Sequence, residues 1–347
     1  MEQKFLTARR IQLTLLCVAL AIGILAGWAI KGWRVRHGIG VTACATEPLR
    51  LGFKGLTNPL LACDVGGNQE FFEFIPLKNR LLDTINSKKV SGEVAAVSVY
   101  FRAYGRGKWL TIDSEELYAP ASMLKVPIMI AYFKAAESEP KILEQTLLYN
   151  DPKDYNIGQQ YPASERLTNG TRYRVDELIR RMIVYSDNNT LYPLVSNLGA
   201  EKIGEVYAEL GLDTPPLPTP EKVNFLTVKN YAYFFRVLYN STLLSRAMSE
   251  RALNLLTETT FKEGLAATVP ADVKVAHKFG ELTLAQLNPA QRELHDCGIV
   301  YHPENPYLLC IMTKGAQFDT LAQTIQEIGK TVYEEVGHLP KLSPKEN

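Results

Sequence analysis

Between residues 94 and 104, Val97, Val99 and Phe101 fall on every second position, and a period of two predicts a strand with one face buried. The turn Gly105-Arg106-Gly107 leads into a second apolar stretch, 108–112, so the two predict a hairpin. Ahead of it, 77–85 has the spacing of a short helix. Behind it the period lengthens, and 122–137, 175–185, 190–198, 200–210, 228–239 and 249–257 predict helices separated only by loops. Strand patterns return at 273–278, 297–301 and 307–313, the last two joined by His302-Pro303-Glu304-Asn305-Pro306. Phe318, Leu321, Ile325, Ile328, Val332 and Val336 then mark one face of a final helix. This order predicts an α/β domain of the α+β type over 77–339. One antiparallel sheet is built from both chain ends of the domain and flanked by helices, with a helical lobe beside it and a cleft between.

The amino terminus breaks the pattern. Residues 11–30 form a run of 20 whose only polar members are Gln12 and Thr14, flanked by Lys4, Arg9 and Arg10 and by Lys31, Arg34 and Arg36. Such a run is long enough to span a bilayer. It predicts a single-pass membrane anchor within 1–36, followed by a juxtamembrane segment, 37–76, with a turn at Gly66-Gly67-Asn68; residues 340–347 form a tail. A cleaved signal peptide ending near Gly27-Trp28-Ala29 is the competing reading. Equal basic flanks give the positive-inside rule no purchase. Leu16 before Cys17 argues against a lipidated cysteine.

Composition narrows the class further. The chain has 347 residues, 46% apolar and 22% charged, with a net charge of +1, which fits a sizeable globular core and argues against a nucleic-acid partner. Cys44, Cys63, Cys297 and Cys310 show no C-x-x-C or Cys/His spacing of a zinc site, so no metal is expected. Cys44 and Cys63 are either a disulfide or two free thiols. Pairing of the last two strands around their turn would set Cys297 close to opposite Cys310; core thiols are the first reading and a cross-strand disulfide the second.

Three short motifs carry candidate chemistry. Ser122-Met123-Leu124-Lys125 opens an apolar helical pattern, so Ser and Lys share a face beside free backbone N–H groups at the positive end of a helix. Ser138-Glu139-Pro140-Lys141 has the same spacing but ends that helix, with Pro as the stop. Ser186-Asp187-Asn188 follows a helix and is also what a helix cap looks like. Lys278-Phe279-Gly280 ends the first strand after the helical block. His277, His295 and His302 read as structural: no G-x-S-x-G is present, and His295 and Asp296, adjacent on a strand, face opposite ways.

Together, and in this order, the three motifs resemble those of the class A β-lactamases and related penicillin-binding proteins, S-x-x-K, S-D-N and K-T-G. The resemblance extends through His295 to Tyr301 and Met312 to Gly315. It implies that Ser122 is the acylated nucleophile, Lys125 its proton partner, and Ser186 a relay to the leaving nitrogen. Asn188 would bind the substrate's side-chain amide, and Lys278, with Gly280 in its motif, the substrate carboxylate. Backbone N–H groups of Ser122 and Glu281 would form the oxyanion hole. Burial of Lys125 beside a second cation, Lys278, would lower its pKa toward that of a useful base.

Two positions depart from the family pattern. Its E-x-x-L-N loop supplies a deacylating Glu, but aligning Asn224 with the motif's Asn sets Pro220 in the Glu position, with Glu221 one place off. Phe279 stands where the family has a Thr or Ser whose hydroxyl helps bind the β-lactam carboxylate. The expected activity is β-lactam opening through an acyl-serine. The alternatives are a D,D-peptidase or transpeptidase acting on cell-wall peptides, and a penicillin-binding sensor without turnover. No cofactor is implied, and the domain is expected outside the plasma membrane, where such substrates lie.

Overall fold

The computed structural model describes residues 55–59, 72–105, 107–213, 223–284 and 291–340. The apolar run 11–30, Cys44, Cys63, Pro220 and Glu221 lie outside them. Among the described residues no helix is long and apolar enough to cross a membrane.

Chain order gives α1 (Ile75–Val90), β1 (Ala96–Ala103), β2 (Lys108–Ile112), α2 (Lys125–Ser138), β3 (Thr146–Tyr149), β4 (Thr171–Arg174), α3 (Val175–Val184), α4 (Leu191–Leu198), α5 (Ala200–Glu209), α6 (Val228–Asn240), α7 (Arg246–Thr257), β5 (Val275–Leu284), β6 (Gln291–Val300), β7 (Tyr307–Gly315) and α8 (Phe318–His338). β2-β1-β7-β6-β5 form one five-stranded sheet with antiparallel pairing throughout, drawn from both ends of the domain as the pattern predicts.

Each face of the sheet carries its own core. Val97, Val99 and Phe101 of β1 meet Leu77 and Leu81 of α1 and Leu321, Ile325 and Ile328 of α8 on one side. Tyr100, Cys310 and Met312 face the helical lobe on the other, where α2 buries every side chain from Val126 to Phe133. Full burial of one such apolar side chain contributes about 1.5–3 kcal/mol, so a helix buried on every side from Val126 to Phe133 fixes the lobe's centre.

Four expectations change. The helical block is not joined only by loops: β3 and β4 pair as a small antiparallel sheet, because Thr146–Tyr149 and Thr171–Arg174 are too short to show a period. β5 does not stop at Lys278-Phe279-Gly280 but runs on to Leu284. Ser122 does not open an α-helix; it sits in a 3-10 turn, Ala121–Leu124, and α2 starts at Lys125. Cys297 and Cys310, read first as thiols, are directly opposed in the β6–β7 register and joined as a disulfide. The decoy stop is as expected, with α2 ending at Ser138 and Pro140 starting a separate turn.

Part of the juxtamembrane stretch is tied to the domain. Backbone N–H groups of Leu56 and Thr57 donate to Glu250 (2.7 and 3.0 Å), and the Tyr301 hydroxyl donates to the Leu56 carbonyl (2.8 Å). At Gly55, with φ of 77°, a Cβ would collide with the Glu250 carboxylate.

Candidate active site

The turn bearing Ser122 is clamped from two sides. Ahead of it, the Ala119 N–H donates to the buried Glu293 carboxylate (2.9 Å), and His295 Nε2 lies 3.0 Å from the Ala119 carbonyl. His295 Nδ1 accepts from the Thr313 N–H, so the ring's proton is on Nε2 and that nitrogen is the donor. Tyr118 is bridged to Leu226, which ties the segment holding Asn224 to the same place. Asn224 Oδ1 is buried and has no partner among the described residues.

From the other side comes β5, the sheet's edge strand. A Cβ on Gly280 would lie 2.7 Å from the Pro120 carbonyl oxygen and 2.8 Å from Met123 Cγ, so only glycine lets the strand come this close to the Ser122 turn. Ala121 takes φ of 49°, a strained value for a residue with a side chain, immediately before the serine. In a 3-10 turn, positions i and i+3 eclipse, so Ser122 and Lys125 still share a face. Ser122 is half-buried, and its hydroxyl forms no hydrogen bond among the described residues.

Ser186 ends α3 in the left-handed conformation usually given to glycine, with φ of 57°. That turn presents both its carbonyl and its hydroxyl to Lys125, at 2.6 and 3.1 Å from Nζ. Asp187 then caps the next turn, accepting from the Asn189 N–H (2.9 Å), so the cap reading of Ser-Asp-Asn also holds. Asn188 Oδ1 accepts from Lys125 (2.7 Å) while its Nδ2 donates to the Tyr155 carbonyl (3.0 Å), leaving one amide hydrogen for a bound molecule. Lys278 Nζ reaches Ser186 Oγ from β5 at 2.9 Å.

Ser122, Lys125, Ser186, Asn188, Lys278, Gly280 and Glu281 are thus brought together; Glu221 lies outside the described residues. Burial, reinforced by the charge of Lys278, holds Lys125 well below its ordinary pKa of 10.5. Burial also lowers Lys278, to about 7, against the opposing pull of Asp296 and Glu281. With Lys125 neutral, its lone pair accepts from Ser186 Oγ while that oxygen accepts from Lys278. Such an arrangement passes a proton along one hydroxyl.

Three parts of the site carry no motif. The Glu281 side chain accepts from the backbone N–H groups of Gln160 and Tyr161 (2.8 and 2.9 Å), tying β5 to the loop before β4; burial holds its carboxyl above the usual range. Asn156 supports Ser-Asp-Asn from that same loop, donating to Asp187 (2.7 Å) and accepting from the Asn188 N–H (2.8 Å). Its only sequence signal is the Asn/Asp-rich stretch Asn150-Asp151-Pro152-Lys153-Asp154-Tyr155-Asn156. Glu293 gave none, and His295 entered only within the stretch that extends the resemblance and as a structural histidine. Among the described residues no three His, Cys, Asp or Glu side chains converge as a metal-ligating group.

Comparison with known proteins gives the family and the fold. The profile of the beta-lactamase enzyme family matches residues 76–336. Among solved structures, PBP-A superposes with a TM-score of 0.64 at 22% identity over 76% of this chain and 97% of its own. A PBP-A variant solved as an acyl-enzyme complex with penicillin G gives 0.64 at 20%, over 76% and 98%. A beta-lactamase from Sphaerobacter thermophilus gives 0.61 at 19%, over 75% and 98%. No curated protein sequence matches.

Proposed function

The chain belongs to the beta-lactamase enzyme family, and from that premise we propose that it is a serine hydrolase that opens a β-lactam or related amide through an ester on Ser122. The observation that carries the reading is the single Ser186 hydroxyl between Lys125 and Lys278, 3.1 and 2.9 Å from their nitrogens, beside the Ser122 turn. Ser122 Oγ attacks the carbonyl carbon and its proton passes to Lys125. The C–N bond breaks as a proton reaches the leaving nitrogen through Ser186. Backbone N–H groups of Ser122 and Glu281 take the developing oxyanion, an interaction of about 3 kcal/mol per well-aimed donor. Asn188 holds the substrate's side-chain amide with its remaining hydrogen. Water then attacks the ester and returns Ser122.

The closeness of Gly280 to Pro120 and Met123 supports the oxyanion assignment, and the acyl-enzyme of the PBP-A variant supports the chemistry by likeness of fold. The apolar run 11–30 supports anchoring in the plasma membrane, and the extracytoplasmic position of such substrates supports a catalytic domain outside. Labelling with a fluorescent penicillin tests the reading: the label is expected on the peptide containing Ser122 and absent from Ser122→Ala. Equal labelling of that variant sinks it.

A second reading, a D,D-peptidase, transpeptidase or penicillin-binding sensor, is favoured by one observation, Pro220 at the family's deacylating Glu position. It differs in a long-lived ester, with Glu221 the neighbouring candidate base in the first reading.

A further inference from the structure

The cation that the family pattern assigns to a substrate carboxylate is already engaged here. An ammonium has three N–H donors. Lys278 directs one to Ser186 Oγ at 2.9 Å and one to the Phe279 carbonyl at 3.2 Å, and the Phe279 ring centroid lies 4.3 Å from its nitrogen. That ring is fixed by stacking on Phe261 at 4.1 Å and by the edge of Tyr161 at 6.1 Å, so it does not swing aside for a polar ligand.

Beside it the protein supplies a carboxylate of its own. Glu281 is held by two backbone N–H groups of the facing loop, and its charge is felt by both Lys125 and Lys278. Asp187 and Asp296 add to the same field. A further carboxylate entering the cleft meets the partly exposed Glu281 carboxylate, a packed aromatic cluster at Phe279 where a hydroxyl donor would help, and a lysine with one N–H left.

We propose that this cleft selects acyl donors with no carboxylate next to the scissile bond, Phe279 and Glu281 occupying the ground on which such a group would be bound. The inference rests on the acyl-Ser122 reading and names its substrate class: neutral lactams, esters or amides in preference to free acids.

A matched pair of probes tests it on the full chain, benzylpenicillin and its methyl ester, by the second-order rate of Ser122 acylation read from intact mass. The ester is expected to acylate at least as fast as the acid. Glu281→Gln, which removes a negative charge while keeping an acceptor, is expected to speed the free acid by roughly fivefold relative to the ester. Phe279→Thr is expected to move the ratio the same way. A free acid that outpaces its ester in the unaltered protein overturns the inference and leaves acyl-serine chemistry standing. Failure of both probes to acylate overturns both.

Discussion

Lys125 and Lys278 meet at one hydroxyl, Ser186 Oγ, which lies 3.1 Å from the first nitrogen and 2.9 Å from the second. Two buried ammonium groups cannot both keep full charge at that spacing, because burial disfavours each and each repels the other. The site therefore disfavours two full charges around the shared hydroxyl, and both lysines are held below their ordinary pKa.

Acylation should show this in its pH dependence. In the proposed reaction Lys125 takes the proton in its neutral form, so the rate should rise as pH passes upward through its pKa. Burial and then the Lys278 charge keep that pKa low. Lys278→Ala removes the charge, so the rising limb of the acylation profile should move to higher pH. A slower reaction with an unmoved limb would mean that Lys278 acts on the substrate alone.

Stability should respond in a defined window. Lys278 has a pKa of about 7 in the folded protein against 10.5 ordinarily. The unfolded chain therefore binds the extra proton between these values, and the folded state pays a penalty that is complete below 7 and fades toward 10.5. Lys278→Met should raise the melting temperature most below about pH 7, and its advantage should shrink by about pH 10. A gap that widens with pH would reverse the sign of the argument.

Gly280→Ala should separate fold from chemistry. Its Cβ has no room between the Pro120 carbonyl and Met123, so β5 must retreat from the Ser122 turn. Overpacking of this kind costs about 1–3 kcal/mol, seen as a lower melting temperature. Acylation should fall by roughly a hundredfold, the loss expected when a single oxyanion donor is misplaced. An unchanged rate would show that the strand's approach is not needed.

Hydrophobic period made the large sheet and the final helix legible, because β1 sets Val97, Val99 and Phe101 on alternate positions and α8 buries one regular face. β3 and β4 were not, since four residues show no period and their pairing is non-local. The strand pattern at 273–278 ends before β5 does, because Gly280 is a point of close approach and Glu281 a tie to the opposite loop, and neither adds an apolar position. The three motifs were visible only as a set. Their geometry depends on the left-handed turns at Ala121 and Ser186, at residues whose type gives no hint of it. The Cys297–Cys310 disulfide follows from register, which a short turn fixed only to within a residue or so.

The central claim is a covalent ester on Ser122, and intact-mass spectrometry over time tests it most directly. The full chain is mixed with benzylpenicillin or its methyl ester, beside Ser122→Ala. The account predicts one adduct of the probe's full mass on the unaltered protein, because the opened lactam keeps its nitrogen, and none on the variant. Clearance of that adduct marks hydrolysis, and persistence marks the penicillin-binding reading. No adduct with either probe, or an equal adduct on Ser122→Ala, would contradict the account.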